Sequence, residues 1–130
     1  MVDSEQYLLT VMRYIEFNPV RAGLTAHPRD YPWFSYARNA LAATGENSDW
    51  ITPHAQYLQI ARSATARLSA YRALFKAAIG KNELAQIRDC THNGWALGGD
   101  KFKEEIETRT QRQASSKGAG RPQLADAEGE

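Results

Sequence analysis

The feature that most constrains this chain is a helical stretch that runs into a proline and is closed soon afterwards by a glycine. Apolar residues recur before the proline at the spacing of one helix face, which predicts a helix packed against a core. Pro19 disfavours helical geometry at Asn18, but a proline suits the first position of a further short turn. Gly23 can end that turn in left-handed geometry. The apolar residues at helical spacing are Leu8, Val11, Met12 and Ile15.

Tyr14 and Asn18 stand four residues apart on either side of this corner. They share one face if the helical path reaches Asn18. A tyrosine beside an amide can be a nucleophile beside a metal ligand, and it can equally be a buried hydroxyl beside a corner residue. The residue types alone leave both interpretations open, and most such pairs are structural.

The block from Tyr14 to Gly23, with the sequence Tyr-Ile-Glu-Phe-Asn-Pro-Val-Arg-Ala-Gly, resembles the signature of the REP-associated tyrosine transposases. These are HUH single-tyrosine enzymes that cut and rejoin single-stranded DNA. The resemblance implies that Tyr14 attacks a DNA phosphate and stays bonded to the 5′ end. It also implies that Asn18 is a ligand of a divalent metal ion, Mg or Mn. The resemblance extends from about Tyr7 to Arg112.

The family's two other metal ligands are a His-hydrophobic-His pair on an upstream strand, and this chain has no such pattern. We therefore expect an all-α chain that corresponds to the C-terminal helical part of an α+β transposase. A truncated gene, a fragmentary gene model or one encoded half of a split protein would explain the missing histidines. One amide oxygen holds a hard cation poorly, so the chain alone is not expected to bind the metal or to be active without a partner that supplies the histidine region.

Three segments are predicted. Residues 1–40 would be the remnant of the catalytic domain, with the tyrosine helix and an aromatic loop. Residues 41–112 would be a helical C-terminal region, with the boundary in an exposed loop predicted over residues 39–49, which contains the polar run Gly45-Glu46-Asn47-Ser48-Asp49. Residues 113–130, rich in small and charged residues without apolar periodicity, would be disordered.

The aromatic segment His27–Tyr36 contains two prolines, which forbid a long helix across it. The expected form is a loop pinned to the first helix by Trp33 and Tyr36. Aromatic rings can also stack on bases, although rings flanked by prolines more often pin a loop to a core.

Capping residues and periodicity predict the remaining helix boundaries. Five helices are expected. The first begins at N-cap Asp3, with Gln6 as its capping-box partner, and the second begins at N-cap Thr52, with Pro53 as its first residue. The third runs from Ala64 to Ile79 and is ended by Gly80, and the last two begin near Asn82 and at N-cap Asp100.

Basic residues concentrate in and beside the predicted helix from Ala64 to Ile79. A face of this kind can contact DNA phosphates, and a solvated helix surface is an equally good interpretation. The residues expected to bind DNA are Arg67, Arg72, Lys76 and Lys81. They also support an alternative function, a non-catalytic DNA-binding helical module whose last two helices form a helix-turn-helix-like pair. A non-functional truncated remnant is a third reading.

Composition limits the compartments and partners that suit this chain. The net charge of +1 argues against a strongly basic DNA-coating protein, although local patches remain compatible with it. Cys90 is the single cysteine, which favours the cytoplasm, and no apolar run is long enough for a membrane span. The three histidines, His27, His54 and His92, fit no metal-binding pattern and are interpreted as surface or capping residues. The expected partner is single-stranded or hairpin DNA of the REP type, with no membrane partner.

Overall fold

The computed structural model describes residues 1–41 and 51–118. Within these two ranges the chain is mostly helical, and its one pairing of extended backbone is an isolated parallel bridge between Val2 and Leu97. This confirms the predicted helical character. The α-helices are α1 (Ser4–Glu16), α2 (Asn18–Arg21), α3 (Tyr36–Leu41), α4 (Ala55–Leu58), α5 (Ala64–Leu74), α6 (Lys81–Asn93) and α7 (Asp100–Thr110), and a 3-10 helix spans Pro28–Asp30.

The first helix begins after Asp3, as predicted, but the second hydrogen bond of the predicted capping box is not formed. Asp3 Oδ1 accepts a hydrogen bond from the Glu5 amide at 3.2 Å. The Asp3 amide donates to the Leu97 carbonyl at 2.7 Å. The prediction that Gln6 completes a capping box is therefore wrong, because a residue distant in sequence already accepts from that amide.

The corner around Pro19 follows the prediction closely. Phe17 has φ −85° and ψ −8°, so the backbone stays right-handed between α1 and α2. Gly23 then adopts φ +70°, and the Leu24 amide donates to the Pro19 carbonyl at 2.9 Å. The left-handed glycine ends the turn, as expected from its lack of a Cβ.

One buried cluster joins α3, α4 and α5, and it is formed by Tyr36, Ala40, Tyr57 and Tyr71. Tyr57 and Tyr71 meet edge to face, with ring centroids 5.4 Å apart. The Tyr57 hydroxyl also donates to the Asn39 carbonyl at 2.9 Å. Side chains from both sides of the predicted division at residue 40 therefore share a core. The predicted loop is wrong at its start, because Asn39, Ala40 and Leu41 belong to α3, and residues 42–49 lie outside the described residues.

The buried face of α1 differs from the predicted one. Leu9 and Met12 pack against the core cluster, and Glu16 is only 1% exposed. Ile15 is 44% exposed, so the prediction that it faces a core is wrong. Hydropathy favoured Ile15, but hydrogen bonds to Glu16 from other segments reverse that preference.

The aromatic loop is held by Tyr36 and not by Trp33. Tyr36 is buried, whereas Trp33 is 71% exposed. The Ser35 hydroxyl donates to Glu16 Oε1, and the His27 ring lies edge-on to Tyr36 at 5.6 Å. These contacts attach the loop to α1, so a pinning role for Trp33 is wrong.

The fifth helix ends five residues earlier than predicted, at Leu74 and not at Ile79. Phe75 leaves the helix and packs against Phe17 at 5.1 Å and Tyr36 at 4.8 Å between ring centroids. Gly80 is the N-cap of α6, and its amide donates to Glu83 Oε2 at 3.3 Å. The expected starts at Thr52, Asn82 and Asp100 are also wrong, since the N-caps are His54, Gly80 and Gly99.

The chain after α7 remains packed for several residues. Ala114 is buried, its amide donates to Glu107 Oε1 at 2.8 Å, and its carbonyl accepts from Ala96 at 2.9 Å. The predicted disorder therefore does not apply to this start of the segment, and residues 119–130 lie outside the described residues. In the described ranges, no helix has the length and apolarity needed to cross a bilayer.

Candidate functional site

Tyr14 and Asn18 open onto the same groove, on the side of α1 opposite the core cluster. The groove has a volume of ≈ 530 Å³ and lies between the α1–α2 corner, α6 and the first residues of the chain. Tyr14 is half-buried and Asn18 is exposed. The sequence prediction that these two side chains share a face agrees with this arrangement. The other lining residues are Met1, Val2, Val11, Ile15, Ile87, Cys90, Thr91, Gly94, Trp95 and Leu97.

Arg21, which the sequence reasoning did not single out, connects the two residues. Its guanidinium carbon lies 4.4 Å from the centroid of the Tyr14 ring. One of its nitrogens, Nη2, donates to the Tyr14 carbonyl and to Asn18 Oδ1. A planar guanidinium can stack on a ring and donate sideways at once. Its position three residues after Asn18, one helical turn away, was the available signal.

A second arginine, Arg88 on α6, contributes to the electrostatics of Arg21. Burial is the main cause that lowers the pKa of the Arg21 guanidinium, the Tyr14 phenol opposes this, and the positive charge of Arg88 lowers the pKa further. The corner and α6 therefore present like charges to each other beside the groove. The sequence reasoning missed Arg88 because the interaction arises only when α6 and the α1–α2 corner face each other across the groove.

Asn18 does not form a metal site with the described residues. Its Oδ1 accepts a hydrogen bond from a guanidinium cation, and a divalent ion would have to compete with that charge for the same oxygen. Among residues 1–41 and 51–118, no three His, Cys, Asp or Glu side chains cluster as metal ligands. Within the described residues, a divalent cation at Asn18 would therefore meet a single amide oxygen that already accepts from a guanidinium.

Two of the histidines are helix caps. His27 Nδ1 accepts from the Arg29 amide at 3.0 Å, and His54 Nδ1 accepts from the Gln56 amide at 3.1 Å. Each bond satisfies an amide that has no partner within its own helix. His92 is exposed on α6. The predicted capping interpretation is confirmed for the first two.

The four basic residues expected to bind DNA fall into two pairs. Arg67 donates from Nε to the Leu58 carbonyl at 3.2 Å and from Nη2 to the Ala61 carbonyl at 3.1 Å. Arg72 Nη1 donates to the Ala40 carbonyl. Both arginines therefore bind carbonyls at or just after the C-terminal ends of α3 and α4. Lys76 and Lys81 are exposed, and only these two keep the whole head group available for a phosphate.

Cys90 is half-buried beside the groove, and not within the core cluster. Its Sγ donates weakly to the Ala96 carbonyl at 3.6 Å. Burial raises the pKa of the thiol, with Lys103 opposing that effect. A thiol held protonated in this way is a packing group and not a reactive one.

Comparisons with known proteins identify no relative of this chain. No protein-family model, no curated protein and no solved structure matches the chain.

Proposed function

We propose that this chain is the nucleophile-bearing helical part of a transposase that acts on single-stranded DNA. One observation carries the proposal: Tyr14 and Asn18 line a single groove next to each other, and Arg21 contacts both. The resemblance of the Tyr14–Gly23 block to the REP-associated tyrosine transposases supports the same function. A cytoplasmic location and a hairpin DNA substrate belong to this proposal.

In the proposed reaction the Tyr14 phenol oxygen attacks a phosphorus atom of the DNA backbone. The bond between that oxygen and phosphorus forms while the bond from phosphorus to the 3′ oxygen breaks. The phenol gives up its proton and the departing 3′ oxygen takes one up. One phosphoester bond forms and one breaks, so their total number is unchanged. A strand with a free 3′ hydroxyl is released, and Tyr14 stays bonded to the 5′ phosphate until a 3′ hydroxyl reverses the step.

This chain supplies the nucleophile and a positive side chain for that reaction. A phenol is mostly protonated at neutral pH, so further groups must promote the attack. In the proposed complex a partner bearing the histidine region supplies them together with a divalent metal. The chain by itself is expected to be inactive.

The test is the formation of a covalent adduct. The chain is incubated with end-labelled hairpin DNA and Mn²⁺, with and without an intact family member. We expect a labelled band that survives denaturing electrophoresis only in the mixture, and we expect Tyr14→Phe to abolish it. Tyr7→Phe is the matched control, because it removes a phenol oxygen two turns away on the same helix. An adduct that persists in the Tyr14→Phe variant would refute the nucleophile assignment.

A second candidate, a non-catalytic DNA-binding module, is favoured by a separate observation. Trp33 is 71% exposed, and Lys76 and Lys81 are exposed as well. An exposed indole can stack on a base, and lysines can bind phosphates. Binding that is lost in Trp33→Ala and Lys76→Glu but unchanged in Tyr14→Phe, with no adduct under any condition, would favour this module over the transposase.

A further inference from the structure

The rim of the groove beside Tyr14 carries positive charge from two separate helices. Arg21 extends from α2 over the Tyr14 ring. Ile87 and Thr91 of α6 line the groove on its opposite side. Arg88 follows Ile87 directly and precedes Thr91 by three residues, so it lies on the rim of that wall. Positive residues of α2 and α6 therefore stand on opposite sides of the groove that contains Tyr14.

The same face of α6 continues this positive charge. Lys81 and Arg88 are seven residues apart, almost two full turns, so they lie on one side of the helix. The acidic residue next in sequence, Asp89, is about 100° round the helix from Arg88. Its carboxylate accepts a hydrogen bond from Asn93 Nδ2 at 2.9 Å. Among the described residues, neither Arg21 nor Arg88 forms a salt bridge.

Like charges that face each other repel, and an anion placed between them removes that repulsion. The effect of Arg88 on the pKa of Arg21 indicates that the two charges interact. A phosphate diester has two non-bridging oxygens that match the paired donors of a guanidinium. Carboxylate groups are also anions, but a chain of evenly spaced phosphates would engage Lys81 at the same time as the two arginines.

We propose that Arg21 and Arg88 form a phosphate clamp that holds a backbone phosphodiester of single-stranded nucleic acid beside Tyr14, with Lys81 contacting a neighbouring phosphate. This clamp deepens the proposed function and rests on it for the role of Tyr14. Arg21 has a positioning role as well, since it orients Asn18. Arg88 is the better residue to test, because it is exposed on the middle of a helix.

The test measures the binding of a fluorescently labelled single-stranded oligonucleotide to the full chain by anisotropy at several salt concentrations. We expect Arg88→Ala to weaken binding about tenfold, as for the loss of a charged hydrogen bond. We also expect the dependence of log affinity on log salt to become shallower by roughly 0.7. Arg88→Lys, which keeps the charge but not the paired donors, should recover part of the affinity.

Arg109→Ala is the matched control for net charge. Arg109 is an exposed arginine on α7 paired with Glu105 at 3.4 Å. If Arg88→Ala and Arg109→Ala weaken binding equally, the clamp is overturned and general electrostatic attraction explains the affinity. Thermal unfolding of each variant verifies that the exposed substitutions leave the fold intact.

Inorganic phosphate distinguishes the source of the anion. We expect it to compete only weakly, because a single phosphate cannot reach Lys81 and the clamp together. Competition as strong as that of an equal concentration of oligonucleotide phosphate would overturn the assignment to nucleic acid. Arg88-dependent binding without any Tyr14 adduct in the mixed reaction would support the clamp and refute the transposase. If the adduct forms and DNA affinity is unchanged in Arg88→Ala, the transposase is supported and the clamp is refuted.

Discussion

Glu16 is the most deeply buried charged residue in the described part of the chain. Its Oε1 accepts from the Ser35 hydroxyl, and its Oε2 accepts from the Tyr71 hydroxyl at 2.8 Å. A buried carboxylate without such donors would be strongly destabilising. This one residue therefore links α1 to the aromatic loop and to α5, and so it holds the helix that carries Tyr14.

Replacing Glu16 with Ala should destabilise the protein substantially. The substitution leaves the Ser35 and Tyr71 hydroxyls without their acceptor and opens a cavity, so we expect a loss of about 2–4 kcal/mol in the free energy of unfolding. Urea denaturation measures it. Glu5→Ala, which removes an exposed carboxylate from the first turn of the same helix, should change the free energy by less than about 1 kcal/mol. Equal losses in the two variants would contradict the network.

The charge of Glu16 also makes stability depend on pH. Burial raises the pKa of this carboxyl above its ordinary value of 4.5, against hydrogen bonds from Ser35, Tyr71 and Asn39 that lower it. The folded chain therefore binds this proton more tightly than the unfolded chain. The resulting stability is fully present below the ordinary pKa and is lost as the pH rises through the folded pKa.

Glu16→Gln should remove that dependence, because an amide does not titrate. Denaturation midpoints measured between about pH 4 and about pH 8 should fall more steeply with rising pH in the wild type than in this variant. Identical slopes would show that Glu16 does not titrate differently in the folded and unfolded states.

At the scale of the elements, the left-handed glycine after α2 shapes the corner that positions Asn18. Gly23 has φ +70°, and a Cβ built on it would have no atom within 4 Å. The only penalty of Gly23→Ala is therefore backbone strain, for which we expect about 1–2 kcal/mol. Gly118→Ala is the control, since its Cβ would also meet open space but its φ is not left-handed. Thermal unfolding of both variants measures the difference, and an equal effect would contradict strain at the corner.

Helix ends were predicted less well than helix positions. The Pro19 corner and the Gly23 stop depend on backbone geometry within a few residues, so they could be predicted. The end of α5 at Leu74 depends on Phe75 packing against rings from α1 and α3. The start of α4 depends on a histidine cap that ranks below Ser, Thr, Asp and Asn as a sequence signal.

At the scale of the whole molecule, side chains before residue 42 and after residue 50 share the core around Tyr36 and Tyr71. The pairing of Val2 with Leu97 joins the start of the chain to the link between α6 and α7. We therefore expect one cooperative unfolding transition. In a variant that retains only Trp95 as its tryptophan, fluorescence and far-ultraviolet circular dichroism should report the same midpoint. Separate midpoints would show that α6 and α7 unfold independently.

The sequence alone determined that this chain is helical, that it turns at Pro19, and that Tyr14 and Asn18 lie on one side of that turn. Those properties follow from periodicity and from the allowed φ of proline and glycine, which act over neighbouring residues. Only the tertiary structure decided that Glu16 is buried while Ile15 is exposed, and that the charge of Arg88 acts on Arg21. Each depends on groups more than a dozen residues away, whose hydrogen bonds and charges outweigh the preference of a single side chain.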